Sequence, residues 1–291
     1  MNKVTAVVVT YNHIEFLKKC LNKILNQTYE VTNIVIVDNA SNDGTGRYIN
    51  NLNNAKIDYI KLENNTGGAG GFNQGIKEAV KLSSDFTWIM DDDTMPEEDA
   101  LSKLMDMAND LNFHFGYLSS NVRWTNNMPC LMNVPKPITV WNEKKGAVRV
   151  SQSTFVSMLI PTNIIKKVGL PIKEFFIWND DTEYSLRISK EAPSYFVEDS
   201  YVIHDMKVNI GVDLVKEEDR IARYFYGYRN RFYIAKHYGW KKKLEYHGQF
   251  LLTLYRILFK KSTHKFSKVK IMYKGFISGL FFNPNVEKIE K

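Results

Sequence analysis

Cysteine is scarce in this sequence. Cys20 and Cys130 are the only two in 291 residues, and they form neither a metal-ligand spacing nor a disulfide framework. Cys20 falls on the apolar face of a helical pattern, so both read as free thiols in a reducing cytoplasm. Long apolar runs are missing as well. No stretch reaches the roughly 20 residues needed to span a bilayer. Met1-Asn2-Lys3 leads straight into a short strand-like run, which predicts no signal segment. A glycine cluster is present, but it matches neither the dinucleotide fingerprint nor a P-loop, and no basic Gly-rich nucleotidyl signature occurs. What remains is a chain with 44% apolar residues and a net charge of +7. That suits one large α/β domain with a C-terminal extension, or two small domains. The charge is uneven: acidic clusters lie in the first two thirds, and the C-terminal third is basic.

The first acidic cluster organises the reading. In Trp88-Ile89-Met90-Asp91-Asp92-Asp93-Thr94-Met95-Pro96 an apolar strand pattern ends in three carboxylates. Pro96 and Glu97-Glu98-Asp99 then suggest a helix N-terminus. In open α/β sheets, ligands bind at the C-terminal strand edge. Three adjacent carboxylates repel one another and are most easily held together by a hard divalent cation, which also favours phosphate oxygens. Taken alone, the triplet reads equally well as a solvated acidic turn.

Upstream, Val4–Thr10 reads as a buried parallel strand ending in Tyr11-Asn12-His13. An amphipathic helix follows, with Leu17, Cys20, Leu21, Ile24 and Leu25 on one face. A second strand, Asn33–Val37, ends in the polar loop Asp38-Asn39-Ala40-Ser41-Asn42-Asp43-Gly44-Thr45. Ile57–Leu62 alternates as a third. Four glycines then fall within five residues, Gly67 to Gly71, before a helix predicted over Ile76–Leu82. Such a loop permits close backbone approach to a ligand, and a helix N-terminus suits a diphosphate. A merely flexible loop is the alternative. With Asp91 at the end of the fourth strand, four polar segments would share one sheet edge. That convergence implies a nucleotide-type ligand with a metal-bound diphosphate.

Beyond a helix ending near Leu111 the alternation stops. Tyr117–Val122 reads as a strand. The stretch 123–150 reads as irregular, with Trp124, Trp141 and several prolines. Phe155–Ile160 reads as a strand, and a short helix runs from Pro161-Thr162-Asn163 to Gly169. A second acidic cluster follows in Trp178-Asn179-Asp180-Asp181-Thr182-Glu183-Tyr184, at a helix start. Capping would explain Asp180, Asp181 and Glu183. An adjoining Trp is also a common way to hold a sugar ring. Short strands at 195–196 and 201–203 lead to His204, a candidate third metal ligand. A long helix is predicted over Glu217–Tyr238. From Lys241 to Phe282, lysines including Lys268 alternate with apolar residues, as in helices on an anionic membrane face or packed on the core or on another subunit.

Taken together, Val-Val-Val-Thr-Tyr-Asn, Val-Asp-Asn-Ala-Ser-Asn-Asp-Gly-Thr, Asn-Thr-Gly-Gly-Ala-Gly-Gly-Phe-Asn, Met-Asp-Asp-Asp-Thr, Trp-Asn-Asp-Asp-Thr-Glu-Tyr and His204 resemble the inverting family 2 glycosyltransferases of GT-A fold over roughly residues 4–205. The finer likeness is to bacterial galactofuranosyltransferases and rhamnosyltransferases of capsule, O-antigen and cell-wall galactan synthesis. The resemblance implies an α/β fold with a Rossmann-like, mostly parallel sheet flanked by helices. It implies a catalytic domain over 1–215, with a nucleotide-sugar half at 1–112 and an acceptor half at 113–215. A helical region over 216–291 would contact the inner face of a bacterial plasma membrane or a second protomer.

The resemblance further implies that Thr10, Tyr11 and Asn12 line the base and ribose pocket, with Asp38 on the nucleobase and Asn39 beside it. Gly67, Gly68, Gly71 and Asn73 would lie under the diphosphate or donor sugar. Asp91, Asp93 and His204 would hold Mn2+ or Mg2+, and Asp92 would touch the donor sugar or ribose. Asp181 would be the general base, with Asp180 beside it and Trp178 near the acceptor. The chain departs from the galactan polymerases in having Asn179, not an aromatic residue, immediately before the paired aspartates. The donor implied is UDP-galactofuranose or, as the alternative, dTDP-rhamnose, and the acceptor a glycan or lipid-linked glycan. Competing readings are a nucleotidyltransferase, a catalytically silent sugar-nucleotide or glycan-binding subunit and, more weakly, nucleic-acid binding through the basic tail.

Overall fold

The computed structural model describes residues 2–138, 144–209 and 211–289; Trp141 lies outside them. Strands β1 (Val4–Thr10), β2 (Asn33–Asp38), β3 (Ile57–Lys61) and β4 (Phe86–Asp91) pair in parallel in the order β3-β2-β1-β4. Their C-terminal ends therefore share one edge, as the alternating pattern predicts. All seven residues of β1 are buried, which is why it carries Val and Thr with no solvent-facing alternation.

Beyond this parallel part the sheet turns mixed. β6 (Leu118–Trp124), β8 (Ala147–Gln152), β9 (Met158–Pro161) and β10 (Ser194–His204) extend it as β4-β9-β6-β10-β8, followed by the short β7 (Lys136–Pro137). β9 runs antiparallel to both β4 and β6, while β6 and β10 are parallel. β10 is one strand with a register shift between Phe196 and Tyr201, not two short ones. The stretch expected to be irregular contains β7 and β8. Pro96 ends a three-residue strand, β5 (Thr94–Pro96), which pairs with β10; the helix expected there, α4 (Ala100–Asp110), starts later.

Helices cover both faces. α1 (Ile14–Leu25), α2 (Thr45–Leu52) and α4 pack on one, around Trp88, Leu21 and Ile36. α3 (Gly67–Lys81), α5 (Thr162–Val168) and α6 (Asp180–Glu191) pack on the other, around Val7, Ile76 and Tyr184. The glycine cluster is not a loop before a helix: it is the first turns of α3. A Cβ at Gly71 would sit 2.5 Å from Val9 Cγ1, so this glycine lets the helix rest directly on β1. An alanine there would overpack the contact at a cost of about 1–3 kcal/mol.

A third core lies outside the sheet. α7 (Tyr224–His237), preceded by one 3-10 turn at Ile221–Arg223, packs with α8 (Trp240–Phe259) and α9 (Lys265–Phe281) around Tyr228, Tyr246, Ile257 and Met272. The helix expected from Glu217 thus begins at Tyr224. The tail after α9 returns to the sheet body: Leu170 N–H donates to the Glu287 carbonyl at 2.9 Å, and Lys77 pairs with Glu287 at 2.6 Å. Lys268 is buried and donates to the Val215 carbonyl at 2.8 Å.

Candidate functional site

The strand ends build the site. β4 terminates in Asp91, and β10 delivers His204 opposite Thr94 and beside Trp124. Asp205 N–H donates to the Asp93 carbonyl at 2.9 Å, tying the two strand ends together. His204 Nε2 then lies 3.1 Å from Asp93 Oδ1. This is an ion-pair contact and not an aligned hydrogen bond, because that buried oxygen has no hydrogen-bond partner. The other ring nitrogen, Nδ1, is 2.8 Å from Asn133 Oδ1 and donates to it. Asn133 is thereby a fixing partner for the imidazole, leaving Nε2 free to face the carboxylates.

Charge is crowded here. Burial pushes the Asp91 carboxyl up to about 7, and the Asp93 charge adds to this while His204 opposes it. Burial alone would lower the His204 ring, but its contact with Asp93 and the Asp91 charge outweigh it and carry the ring up to about 10. Asp92 faces elsewhere. Its oxygens accept from the Thr10 hydroxyl at 2.6 Å and from His13 Nδ1 at 3.3 Å, under the end of β1. These bonds link the end of β1 and the residue before α1 to the end of β4.

The second cluster starts α6. Phe176, Trp178 and Asn179, just before it, all have left-handed backbones, with φ of 64°, 66° and 64°. Bulky residues rarely adopt this conformation, and its persistence requires outside support. Asn230 of α7, fully buried, supplies it: its side-chain amide donates to the carbonyls of Phe175 (2.9 Å), Ile177 (3.2 Å) and Trp178 (2.8 Å). Arg229 donates to the Glu174 carbonyl at 2.6 Å. From the other side, Ala69 N–H donates to the Phe176 carbonyl at 3.1 Å. Gly67, with φ of 74°, has no room for a side chain there, since a Cβ would lie 2.0 Å from the Phe176 oxygen.

The held loop presents Trp178, Asp180 and Asp181. Trp178 packs edge-on against Tyr224 at 4.8 Å. Asp181 accepts from the Thr182 N–H at 2.5 Å and the Thr182 hydroxyl at 3.2 Å. Burial nevertheless pushes its carboxyl up to about 6, and burial plus the Asp181 charge pushes Asp180 well above the usual carboxylate range. A carboxylate near 6 is suited to accept a proton near neutral pH. Glu183 is turned away: it pairs with Arg187 at 2.8 Å and accepts from the Tyr238 hydroxyl at 2.9 Å.

A cleft of about 1190 Å³ joins the two clusters, lined by Gly68, Asp91, Trp178, Asp180, Asp181 and His204, among others. Gly68 faces open space. The remaining expected residues are not among those that line this cleft. Tyr11 is half exposed, while Asn12 (φ 54°) bonds Ser41 and Asn42. Asp38 is buried and already accepts from Ser41 N–H at 2.7 Å and the Tyr59 hydroxyl at 2.5 Å. Asn39 bonds Thr66 and Gly67, which fixes α3 to the end of β2. Asn73 donates to the Pro171 carbonyl at 2.9 Å and so holds a neighbouring loop. Among the described residues no three His, Cys, Asp or Glu side chains converge as a complete cation site. Both cysteines are free and buried. Sequence patterning missed Asn133 and Asn230: a single Asn in an irregular stretch, or inside an aromatic helix, carries no periodic signal.

Comparison with known proteins agrees with this geometry. The sequence model for "Glycosyl transferase family 2" matches residues 5–152. The chain is 25% identical over 268 residues to galactofuranosyltransferase GlfT1 of Mycolicibacterium smegmatis, covering 83% of this chain and 85% of that protein. Its fold is similar to that of S. aureus TarS, with a TM-score of 0.58 and 17% identity, covering 96% of this chain but 43% of that one. It is also similar to GalNAc-T7, solved with UDP, GalNAc and Mn2+, with a TM-score of 0.61 and 15% identity, covering 80% of this chain and 51% of that one. A nucleotide-edge α/β sheet, two facing carboxylate clusters and a family match over half its length show that the chain belongs to glycosyl transferase family 2 and is a glycosyltransferase of GT-A fold.

Proposed function

We propose that this enzyme transfers galactofuranose from UDP-galactofuranose to a hydroxyl of a glycan or lipid-linked glycan acceptor, with inversion, in bacterial cell-surface polysaccharide synthesis. The observation that carries the reading is the cleft shared by Asp91 and the Asp180–Asp181 pair. A displacement at an anomeric carbon needs charge neutralisation at the leaving diphosphate and a base at the attacking hydroxyl, and these are two separate acidic groups. Likeness to GlfT1 over most of both chains supports the donor.

Two of the expected ligands, Asp93 and His204, already meet in a way that suits a divalent cation, with Asp91 at the neighbouring strand end. Asp93 Oδ1 has no hydrogen-bond partner, and His204 Nε2 is turned toward it by Asn133. Asp91, Asp93 and His204 would hold Mn2+ or Mg2+, with donor phosphate oxygens completing the shell. When bound, the ion supplies neutralisation of the leaving diphosphate. Asp181, its carboxyl raised by burial, removes the proton of the acceptor hydroxyl, with Asp180 beside it. Trp178 offers an aromatic face for the acceptor sugar. Gly68, at the open start of α3, lets the donor approach the helix N-terminus. The ends of β1 and β2, with Thr10, Tyr11, Asn12, Asp38 and Asn39, form the base and ribose side. Gly67 and Gly71 act indirectly by seating α3, and Asp92 and Asn73 by bracing the strand and loop around them.

We assign residues 1–215 to catalysis and 216–291 to a helical region that rests on the inner membrane face. α8 exposes Trp240, Leu244, Leu251, Tyr255 and Phe259 along one side, with Lys241, Lys243, Lys260 and Lys261 at its ends. No helix among the described residues is long and apolar enough to cross a membrane.

Product formation from UDP-galactofuranose and from dTDP-rhamnose, measured on glycan extracts with wild type and Asp181→Asn, tests the reading. Galactofuranose incorporation by wild type alone supports it. Rhamnose incorporation alone moves the donor, and equal behaviour of the two proteins removes the base.

A further inference from the structure

The cleft changes sign along its length. Beside Trp178 it carries Asp91, Asp180 and Asp181. Its far arm, floored by α7, α8 and the segment before them, is lined by Lys136, Lys216, Arg220, Arg231 and Arg256, against two carboxylates, Asp213 and Glu217. Those two are already engaged: Asp213 with Arg256 at 2.7 Å, and Glu217 with Arg220 at 3.0 Å. Lys136 has a loose contact with Glu245 at 3.9 Å. Among the described residues, Lys216 and Arg231 have no ion-pair partner. Arg231 and Arg256 also lie close enough to Tyr228 for both charges to act on its hydroxyl.

We propose that this arm is an acceptor subsite for a phosphate group, held by Arg231 and Arg256 with Lys216 at the rim, so that the substrate acceptor is a phosphate-bearing glycan. The inference rests on the glycosyltransferase reading and adds the class of acceptor. A neutral sugar needs hydrogen-bond donors and acceptors in balance and gains little from an excess of cations. Guanidinium groups match the paired oxygens of phosphate with two parallel N–H···O bonds. The arrangement also sets direction. A phosphate is repelled by the carboxylates at one end and attracted at the other, which turns the acceptor's hydroxyl end toward Asp181. Leu252 lines the same arm and lies half-way along the exposed apolar helix α8, so the phosphate could be carried by a lipid or by a polymer.

The test is calorimetric titration of the full chain with octyl phosphate, glycerol phosphate and uncharged octyl glucoside. Each is run with Mn2+ and UDP present and again without them, so that loss of donor binding is read separately from loss of phosphate binding. Wild type binds at least one phosphate probe and not octyl glucoside. Arg231→Gln weakens that binding about tenfold, the loss expected for one charge-assisted pair, while Arg231→Lys keeps part of it. Arg231 has no ion-pair partner among the described residues, so its replacement leaves the melting temperature in place; Arg256→Gln serves as the second variant. Preference for octyl phosphate identifies a lipid-linked acceptor, and equal binding of the two phosphates identifies a phosphate-containing polymer. Binding of octyl glucoside alone, no phosphate binding, or the same phosphate affinity in wild type and Arg231→Gln overturns the proposal.

Discussion

Asn230 is the residue whose removal most sharply separates shape from chemistry in this site. It touches no reacting group, yet its amide is shared among three carbonyls of the loop that carries Trp178, Asp180 and Asp181. Asn230→Ala removes two N–H donors and takes this partner from the part-buried Ile177 and Trp178 carbonyls, while the Phe175 carbonyl keeps Arg229 and the Ile177 N–H. Two net hydrogen bonds plus the desolvated carbonyl amount to about 2–4 kcal/mol. For a domain of this size that corresponds to a fall in melting temperature of roughly 5–10 °C. The loop also holds three non-glycine residues at positive φ, a conformation that persists only while the clamp holds it. Without the clamp Asp181 loses its fixed position. The expected kinetic result is a ten- to hundredfold fall in kcat, about 1.4–2.7 kcal/mol, with Mn2+-dependent UDP affinity within about twofold of wild type, because the clamp bonds none of β1, β2 and β4. Steady-state turnover and UDP titration on the same preparation separate the two. Wild-type kcat in Asn230→Ala, or an equal loss of UDP affinity, refutes the reasoning.

Other outcomes follow from the same geometry. With Asp181 raised to about 6, kcat falls as pH drops through that value, because the base becomes protonated; a pH–rate profile flat between 5 and 8 contradicts this. Asp91 and His204 both have folded pKa values above their unfolded ones, so both contribute stability at low pH that is lost as pH rises through about 7 and then toward 10. The metal-free protein therefore melts higher at pH 6 than at pH 8, and added Mn2+ narrows the gap; thermal scans at the two pH values check the sign. Asn133→Ala frees the His204 ring and weakens Mn2+ binding by about ten- to a hundredfold, measured by titration. Replacing Leu251 and Phe259 by Ser reduces sedimentation with vesicles containing phosphatidylglycerol; unchanged sedimentation together with loss of a dimer in solution would assign that face to a second copy.

The legible part of this molecule was the C-terminal edge of its parallel strands. Runs that are nearly all β-branched and apolar, such as Val4–Thr10, form buried strands, and polar segments follow them. Convergence of Asp38, Asp91 and the start of α3 on one edge followed from topology alone. Less legible were features decided by distant contacts. The glycines read as a ligand loop because their close approach to Val9 and to Phe176 is a property of the packed state. The bonds of Asp92 to Thr10 and His13 join residues about 80 positions apart, which no local pattern marks. β8 and the single β10 were hidden because their mixed burial lacks clean alternation. Asn133 and Asn230 act through one bond set each, and no periodicity marks such residues.

The central claim is that Asp91, Asp93 and His204 make a cation-dependent site for a nucleoside diphosphate. Calorimetric titration of UDP into wild type and Asp93→Ala, with Mn2+ and with EDTA, tests it directly. The account predicts binding by wild type with Mn2+ and a loss of binding with EDTA or in Asp93→Ala. UDP binding of the same strength in all four conditions would contradict it.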